Sequence, residues 1–422
     1  MRSTFSLART LSLALVAIGT VACVSSETFA ANRTWTPVAS GTTAARWGTA
    51  SVYAPNWSSS SNPLTNPTAA DSAIFNSNAA NARTVTPIAN NVLPIGDLKF
   101  SGSNSVIFAN ALGSSIVISG NSASPSVGIS LTGSGSVAFQ GKVVVNRAQV
   151  TFENSGSNLL SFGGGGLDLQ GNYLKVAGNA AQGSLGSSNP GATYEVVSGA
   201  QTLTFDSVTG GNVNVVVNGG TVSGDGTGSS NLTVSGGTYV GGGTYDNIVS
   251  SSGAVKILAG QTLNSNSFTQ TAGGDLQMNV NDDLSSASVT GNYQLGGSFQ
   301  LDASDLGTNL YGMGTVWSLF QGTNYTAGSP SPLNGSSNFS VFAMSPSSSS
   351  SPYYGTFTRF GQEWTSPIAS DGTYLVFQAQ TGNLVVVPEP STMVFAGLGV
   401  AMSGWTMWKK RRLSKLLAAK AG

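Results

Sequence analysis

The sequence predicts an all-β chain whose body is a right-handed parallel β-helix, or solenoid, closed by a β-rich C-terminal cap. Three observations lead there. Of 422 residues, 55 are Gly and only 8% are charged, and Ser, Thr and Asn are abundant, which suits short strands and tight turns. Apolar blocks such as Val143-Val144-Val145 and Val213-Asn214-Val215-Val216-Val217 are separated by Gly, Asn, Ser and Asp, the pattern of buried strands meeting at corners. Gly- and Ser-rich chains of low charge can be disordered linkers, but 40% hydrophobic residues in such blocks argue for a packed core.

The N-terminus opens with Met-Arg-Ser and carries Arg9. It then runs apolar or small from Thr10 to Ala22 and ends in Thr28-Phe29-Ala30-Ala31. A basic start, a short apolar stretch and small residues at the −3 and −1 positions predict a signal peptide over 1–30, cleaved after Ala30 and read by the Sec export machinery. The stretch is shorter than the ~20 residues that span a bilayer. Thr20-Val21-Ala22 before Cys23 also allows a lipoprotein signal, with Thr20 standing where a large aliphatic residue is expected.

Residues 31–275 are expected to form the solenoid body. Val106-Ile107-Phe108, Ile116-Val117-Ile118, Val150-Thr151-Phe152, Tyr194 to Val197 and Leu203-Thr204-Phe205 read as its strands. Gly219-Gly220-Thr221-Val222, Gly236-Gly237-Thr238-Tyr239 and Gly242-Gly243-Thr244-Tyr245 form a loose repeat. Gln201-Thr202-Leu203 returns 60 residues later as Gln261-Thr262-Leu263, which divides into three coils of about 20. A β-sandwich would have longer strands with cleaner alternation. Residues 276–387 carry better-spaced blocks: Tyr293 to Leu301, Val316 to Phe320, Phe339 to Ala343, Thr356 to Arg359, Tyr374 to Gln378 and Leu384 to Val387. A Ser/Pro loop at Ser345 to Pro352 interrupts them. They are expected to cap the open end of the solenoid.

The last segment is 388–412, with a tail over 413–422 expected in the cytoplasm. Val387-Pro388-Glu389-Pro390-Ser391-Thr392 precedes an apolar run from Met393 to Trp408 and then Lys409-Lys410-Arg411-Arg412. As a helix the run measures about 24 Å against a hydrocarbon core of ~30 Å, so it suits a transient stop-transfer transmembrane helix better than a permanent anchor. Trp405 and Trp408 would sit at the headgroups, and the basic block would stay inside. Pro388 and Pro390 keep the chain extended just outside the membrane.

This order of Pro-Glu-Pro, apolar run and basic block resembles the PEP-CTERM sorting domain, although the tail from Leu413 to Gly422 is longer than typical. The resemblance implies a membrane partner, an exosortase-type transpeptidase-like enzyme that removes the tail and is associated with exopolysaccharide. The segment with Trp47-Gly48, Asn56-Trp57, Pro67, Asp71-Ser72-Ala73-Ile74-Phe75, Thr84-Val85-Thr86 and Leu98-Lys99-Phe100 resembles the opening of secreted proteins with autotransporter-associated β-strand repeats. That resemblance covers about 35–260 and implies a β-helical stalk or adhesin-like body.

Composition bounds the chemistry. With no His, a Ser-His-Asp triad, a Cys-His pair and an HExxH zinc site are all excluded. Cys23, the only cysteine, lies in the export signal, so the mature chain is expected to lack disulfides and thiolate chemistry. Residues 31–390 hold 9 basic against 16 acidic side chains, a net charge of −7, which argues against nucleic-acid binding. No cofactor or metal is expected.

Several motifs invite a chemical reading and have a plainer one. Gly163-Gly164-Gly165-Gly166-Leu167-Asp168-Leu169-Gln170 resembles a calcium-binding nonapeptide but has Gln170 at the apolar position and no adjacent copy, which favours a glycine corner. Asp282-Asp283 and Asp302 with Asp305 can serve as cation ligands, as an acid-base pair or, more commonly, as turn residues. Gly133-Ser134-Gly135-Ser136-Val137-Ala138 matches a degenerate dinucleotide fingerprint, with no helix expected after it. Trp35, Trp47 and Trp57 are the candidates for stacking on sugars, weighed against packing in an N-terminal cap.

The expectation is a non-catalytic, exported structural or adhesive protein of the cell surface or extracellular matrix. A β-helical polysaccharide lyase or glycoside hydrolase, or a carbohydrate-binding module, is the alternative.

Overall fold

The computed structural model describes residues 32–35, 44–47, 72–75, 83–87, 92–120, 126–205, 210–226, 230–281, 287–306, 311–321, 338–361, 363–378, 381–389, 402, 405–409 and 411. The expected signal peptide, with Ala30, lies outside them, as do most of the residues expected in the transmembrane run. Among the described residues no helix is long and apolar enough to cross a membrane, and 405–409 are helical.

The chain is all-β, and its body is a parallel β-helix. A thirteen-stranded sheet runs from Asn32–Trp35 to Phe320–Gln321, and a seventeen-stranded sheet lies alongside it. The chain passes from one sheet to the other in every coil, and successive coils pair in parallel. Early coils hold three strands, such as Val127–Leu131, Val137–Phe139 and Lys142–Val145. The coil of Tyr173–Ala177 is the transition. Its next strand, Ala180–Gly186, stacks on both Leu160–Phe162 and Leu167–Asp168, and from Ala192–Val196 onward two strands make a coil. Coil length falls accordingly, from 31 residues between Lys99 and Ser130 to 16 between Asn231 and Asn247.

The 60-residue spacing is therefore not a coil repeat. Gln201-Thr202-Leu203 belongs to a second-sheet strand, whereas Thr262-Leu263 opens a strand of the first sheet. The loose glycine repeat is partly real: Thr221 and Val222 stand opposite Thr238 and Tyr239 at the same corner, while Gly243–Ser250 enters the other sheet. At that corner Gly178, Gly199, Gly220, Gly237 and Gly253 stack one per coil. The N–H groups of Thr221, Thr238 and Ala254 donate to the carbonyls of Gly199, Gly220 and Gly237 at 2.9 Å each. A Cβ on Gly199, where φ is +79°, would collide with the backbone of Gly178. Only glycine allows both this φ and this approach.

The core is the interior of the coil. Phe108, Phe139 and Phe162 occupy one register and stack with centroids 4.6 and 5.2 Å apart. Gln182 takes the next place in that row, where the coil narrows. Its Nε2 donates to the fully buried Tyr194 hydroxyl at 2.9 Å, and that hydroxyl donates to Gln201 Oε1 at 2.9 Å. The Gln182 amide nitrogen, the Tyr194 hydroxyl and the Gln201 oxygen are thus partnered inside an apolar tube, as burial demands, whereas Gln182 Oε1 is buried without a partner.

Parallel pairing continues past 275, where the body was expected to end. Gly296–Asp302 stacks on Asp275–Asn279, and Asn338–Met344 stacks on Gly296–Asp302. The texture changes instead at a five-stranded sheet of Val316–Ser318, Thr358–Phe360, Glu363–Thr365, Thr373–Gln378 and Asn383–Pro388, paired antiparallel. Phe342 of the last second-sheet coil stacks on Phe357 at 4.3 Å and meets Phe377 edge-on at 5.4 Å. Trp317 is fully buried, and its Nε1 donates to the Asn281 carbonyl at 3.2 Å. An aromatic cluster thus seals the end of the coil with the antiparallel sheet.

Candidate functional site

The narrowing of the coil leaves a notch. Between the Phe139–Phe162–Gln182 row and the Val143–Leu167–Leu185 row, three successive coils turn the same corner with different lengths of chain. The first uses residues 140–142, the second Gly163 to Gly166, and the third only Gly183 and Ser184, where the register shifts. The middle corner is the widest and is all glycine. The resulting cavity, of about 230 Å³, is lined by Lys142, Gly165, Gly166, Asp168, Ser184 and Ser188 among others.

Asp168 forms one wall and is surrounded by donors. Oδ1 accepts the N–H groups of Gln170 at 3.0 Å and Ser188 at 2.9 Å. Oδ2 accepts the Ser188 hydroxyl and lies 3.0 Å from Lys142 Nζ. Desolvation pushes its carboxyl up, but the hydrogen bonds from Ser188, Lys142 and Gln170 outweigh it and hold the group below the usual carboxylate range. Gln170 (φ 49°) and Gly171 (φ 81°) turn the chain so that the Asn172 N–H reaches the Leu169 carbonyl at 2.9 Å, and this turn aims the Gln170 N–H at Asp168. A carboxylate so filled by N–H, O–H and ammonium donors is a poor ligand for a hard cation. The glycine-corner reading of this motif is the one realised.

A second buried carboxylate, Asp302, lies near the cap. Asp302 Oδ1 accepts the Ser304 N–H at 3.1 Å and the Ser347 hydroxyl at 2.9 Å, while Oδ2 faces Gln277 Nε2 at 3.2 Å and Lys256 Nζ at 3.8 Å. Burial raises this carboxyl, and Ser304, Ser347 and Lys256 bring it net below its ordinary value. Asp302 thus holds a turn, and Asp305 lies in the short 3-10 turn Ser304–Leu306. Asp282 and Asp283 lie outside the described residues. No helix follows Gly133-Ser134-Gly135; Val137–Phe139 is a strand, so the dinucleotide reading falls.

The other sequence candidates are scattered. Trp35 stands opposite Phe75 and Trp47 opposite Pro87 at the start of the two sheets, and Trp57 lies outside the described residues. Pro388 ends the strand Asn383–Pro388 opposite Thr373, and the Glu389 N–H donates to the Gly372 carbonyl at 2.6 Å. Pro390, Lys410 and Arg412 lie outside the described residues. Lys409 and Arg411 are exposed on helical residues, and Lys409 Nζ lies 5.4 Å from the centroid of the Trp405 ring.

Compared with known proteins, the chain matches no family model, no curated protein and no solved structure. Sequence reasoning missed Lys142, Ser184 and Ser188, which no motif marks. Only the glycine run pointed to this corner, and its partners arrive from coils on either side.

Proposed function

We propose that the chain is an exported, non-catalytic structural or adhesive component of the cell surface or extracellular matrix. The observation that carries this reading is the continuous solenoid with a polar ladder on its outside. Asn231 Nδ2 donates to Asn214 Oδ1 at 2.8 Å, Asn247 Nδ2 to Asn231 Oδ1 at 2.9 Å, and the Ser267 hydroxyl to Asn247 Oδ1 at 2.7 Å. Coil-to-coil bonds of this kind stiffen a rod along its axis, which suits a spacer or scaffold held at a surface.

The sequence supports the rest of the reading. A signal peptide ending at Ala30 sends the chain through the Sec machinery. A tail of Pro388-Glu389-Pro390, transmembrane helix and basic block presents it to an exosortase-type enzyme, with exopolysaccharide as the surrounding partner. We take the coil as right-handed, the hand that parallel strand crossovers overwhelmingly adopt. The test is a polysaccharide panel assayed for cleavage. No turnover is expected. Turnover abolished by Asp168→Asn or Asp302→Asn, in variants that keep the wild-type circular dichroism, would replace this reading with that of a lyase or hydrolase.

A further inference from the structure

We propose that the notch beside Lys142 and Ser184 binds one neutral sugar unit of a glycan; this rests on the adhesive reading above and gives it a site. Asp168 has no free acceptor position, because four donors already occupy it. Lys142 gives one N–H to Asp168 and keeps its two others for solvent or ligand, with its side chain 47% exposed. The half-buried Ser184 hydroxyl has no hydrogen-bond partner among the described residues. On the glycine side Gly165 and Gly166 line the notch with backbone alone and leave it open.

The charges then select the ligand class. A metal cation would face an ammonium and a carboxylate without spare lone pairs. An anion would find the Lys142 charge compensated by Asp168 at 3.0 Å, on a body whose net charge is −7. A neutral hydroxylated ring suffers neither penalty. Its hydroxyls accept from the ammonium, a charge-assisted bond stronger than a neutral one, and both donate to and accept from Ser184. A cavity of about 230 Å³ is smaller than a drug-sized site and holds one ring rather than several.

The experiment is calorimetric titration of the full chain with neutral oligosaccharides built on glucose, galactose, mannose and N-acetylglucosamine, alongside uronic-acid oligomers. Wild type is expected to bind at least one neutral member in preference to the acidic ones. Lys142→Gln and Ser184→Ala should each weaken binding about tenfold or more. Ser184→Trp, which puts an indole on a lining position, should abolish it. Lys175→Gln on the first sheet is the control and should bind as wild type. Melting curves for each variant separate lost binding from lost folding. Three results overturn the proposal: no binding by wild type, equal binding by Ser184→Trp, or preference for the uronic acids. None of these touches the structural reading of the chain, which fails instead on polysaccharide turnover or on retention inside the cell.

Discussion

Lys142 Nζ sits 3.0 Å from Asp168 Oδ2, so an ion pair joins two successive coils at the level where the third strand of the coil is about to be lost. The Asp168 carboxyl is held below its usual range in the folded chain. A carboxyl depressed by folding adds stability above its unfolded pKa, and that contribution disappears as pH falls through the folded value. Thermal melts of wild type should therefore drop on acidification below about pH 4, and Asp168→Asn should flatten that acid limb. Equal acid limbs in the two proteins would remove Asp168 from the account.

The glycine column makes a sharper steric prediction. Gly199→Ala places a methyl group against the Gly178 backbone at a φ of +79°, and should cost about 2 kcal/mol or more in denaturant unfolding. Gly164→Ala has open space around it and should change stability by less than about 0.5 kcal/mol. Similar losses at both positions would mean that glycine content, rather than stacking, sets the tolerance.

The polar chain inside the coil can be broken by removing one oxygen. Tyr194→Phe leaves Gln182 Nε2 and Gln201 Oε1 without the hydroxyl that links them, and should destabilise the chain by about 1–3 kcal/mol. Tyr194 is fully buried, and burial pushes its phenol far above the ordinary tyrosine value, so the part of the ultraviolet titration that Tyr194→Phe removes should appear only as the chain unfolds.

Removal of the antiparallel sheet should expose the end of the coil. A chain stopped after Met344 loses Phe357, Trp364 and Phe377 from around Phe342 and leaves the strand Asn338–Met344 as a bare edge. Such an edge pairs with other chains, so size-exclusion chromatography should show self-association that the full chain lacks. A monodisperse truncated monomer would contradict the capping role.

The fold class was legible because short apolar blocks with glycine between them leave few alternatives to stacked β-coils. Val143 to Val145 and Val213 to Val217 both proved to be strands of the body. The coil length was not legible, since a coil can gain or lose a strand without changing its inward rows. The same Gln-Thr-Leu triplet could thus enter different sheets at 201 and 261. The notch was invisible for a related reason. Lys142, Asp168 and Ser184 meet only through register, which is decided by how many residues each corner consumes. Asp302, by contrast, followed the local turn chemistry of its residue type, with its own carboxylate accepting the N–H two residues on.

Mass spectrometry of both chain ends in the surface fraction of producing cells decides whether the solenoid body is exported and displayed. The expected result is an N-terminal peptide beginning at Ala31, a C-terminal peptide ending between Pro388 and Ser391, and no peptides from Lys409 to Gly422. Recovery of the chain from the cytoplasm with Met1 to Ala30 still attached would contradict it.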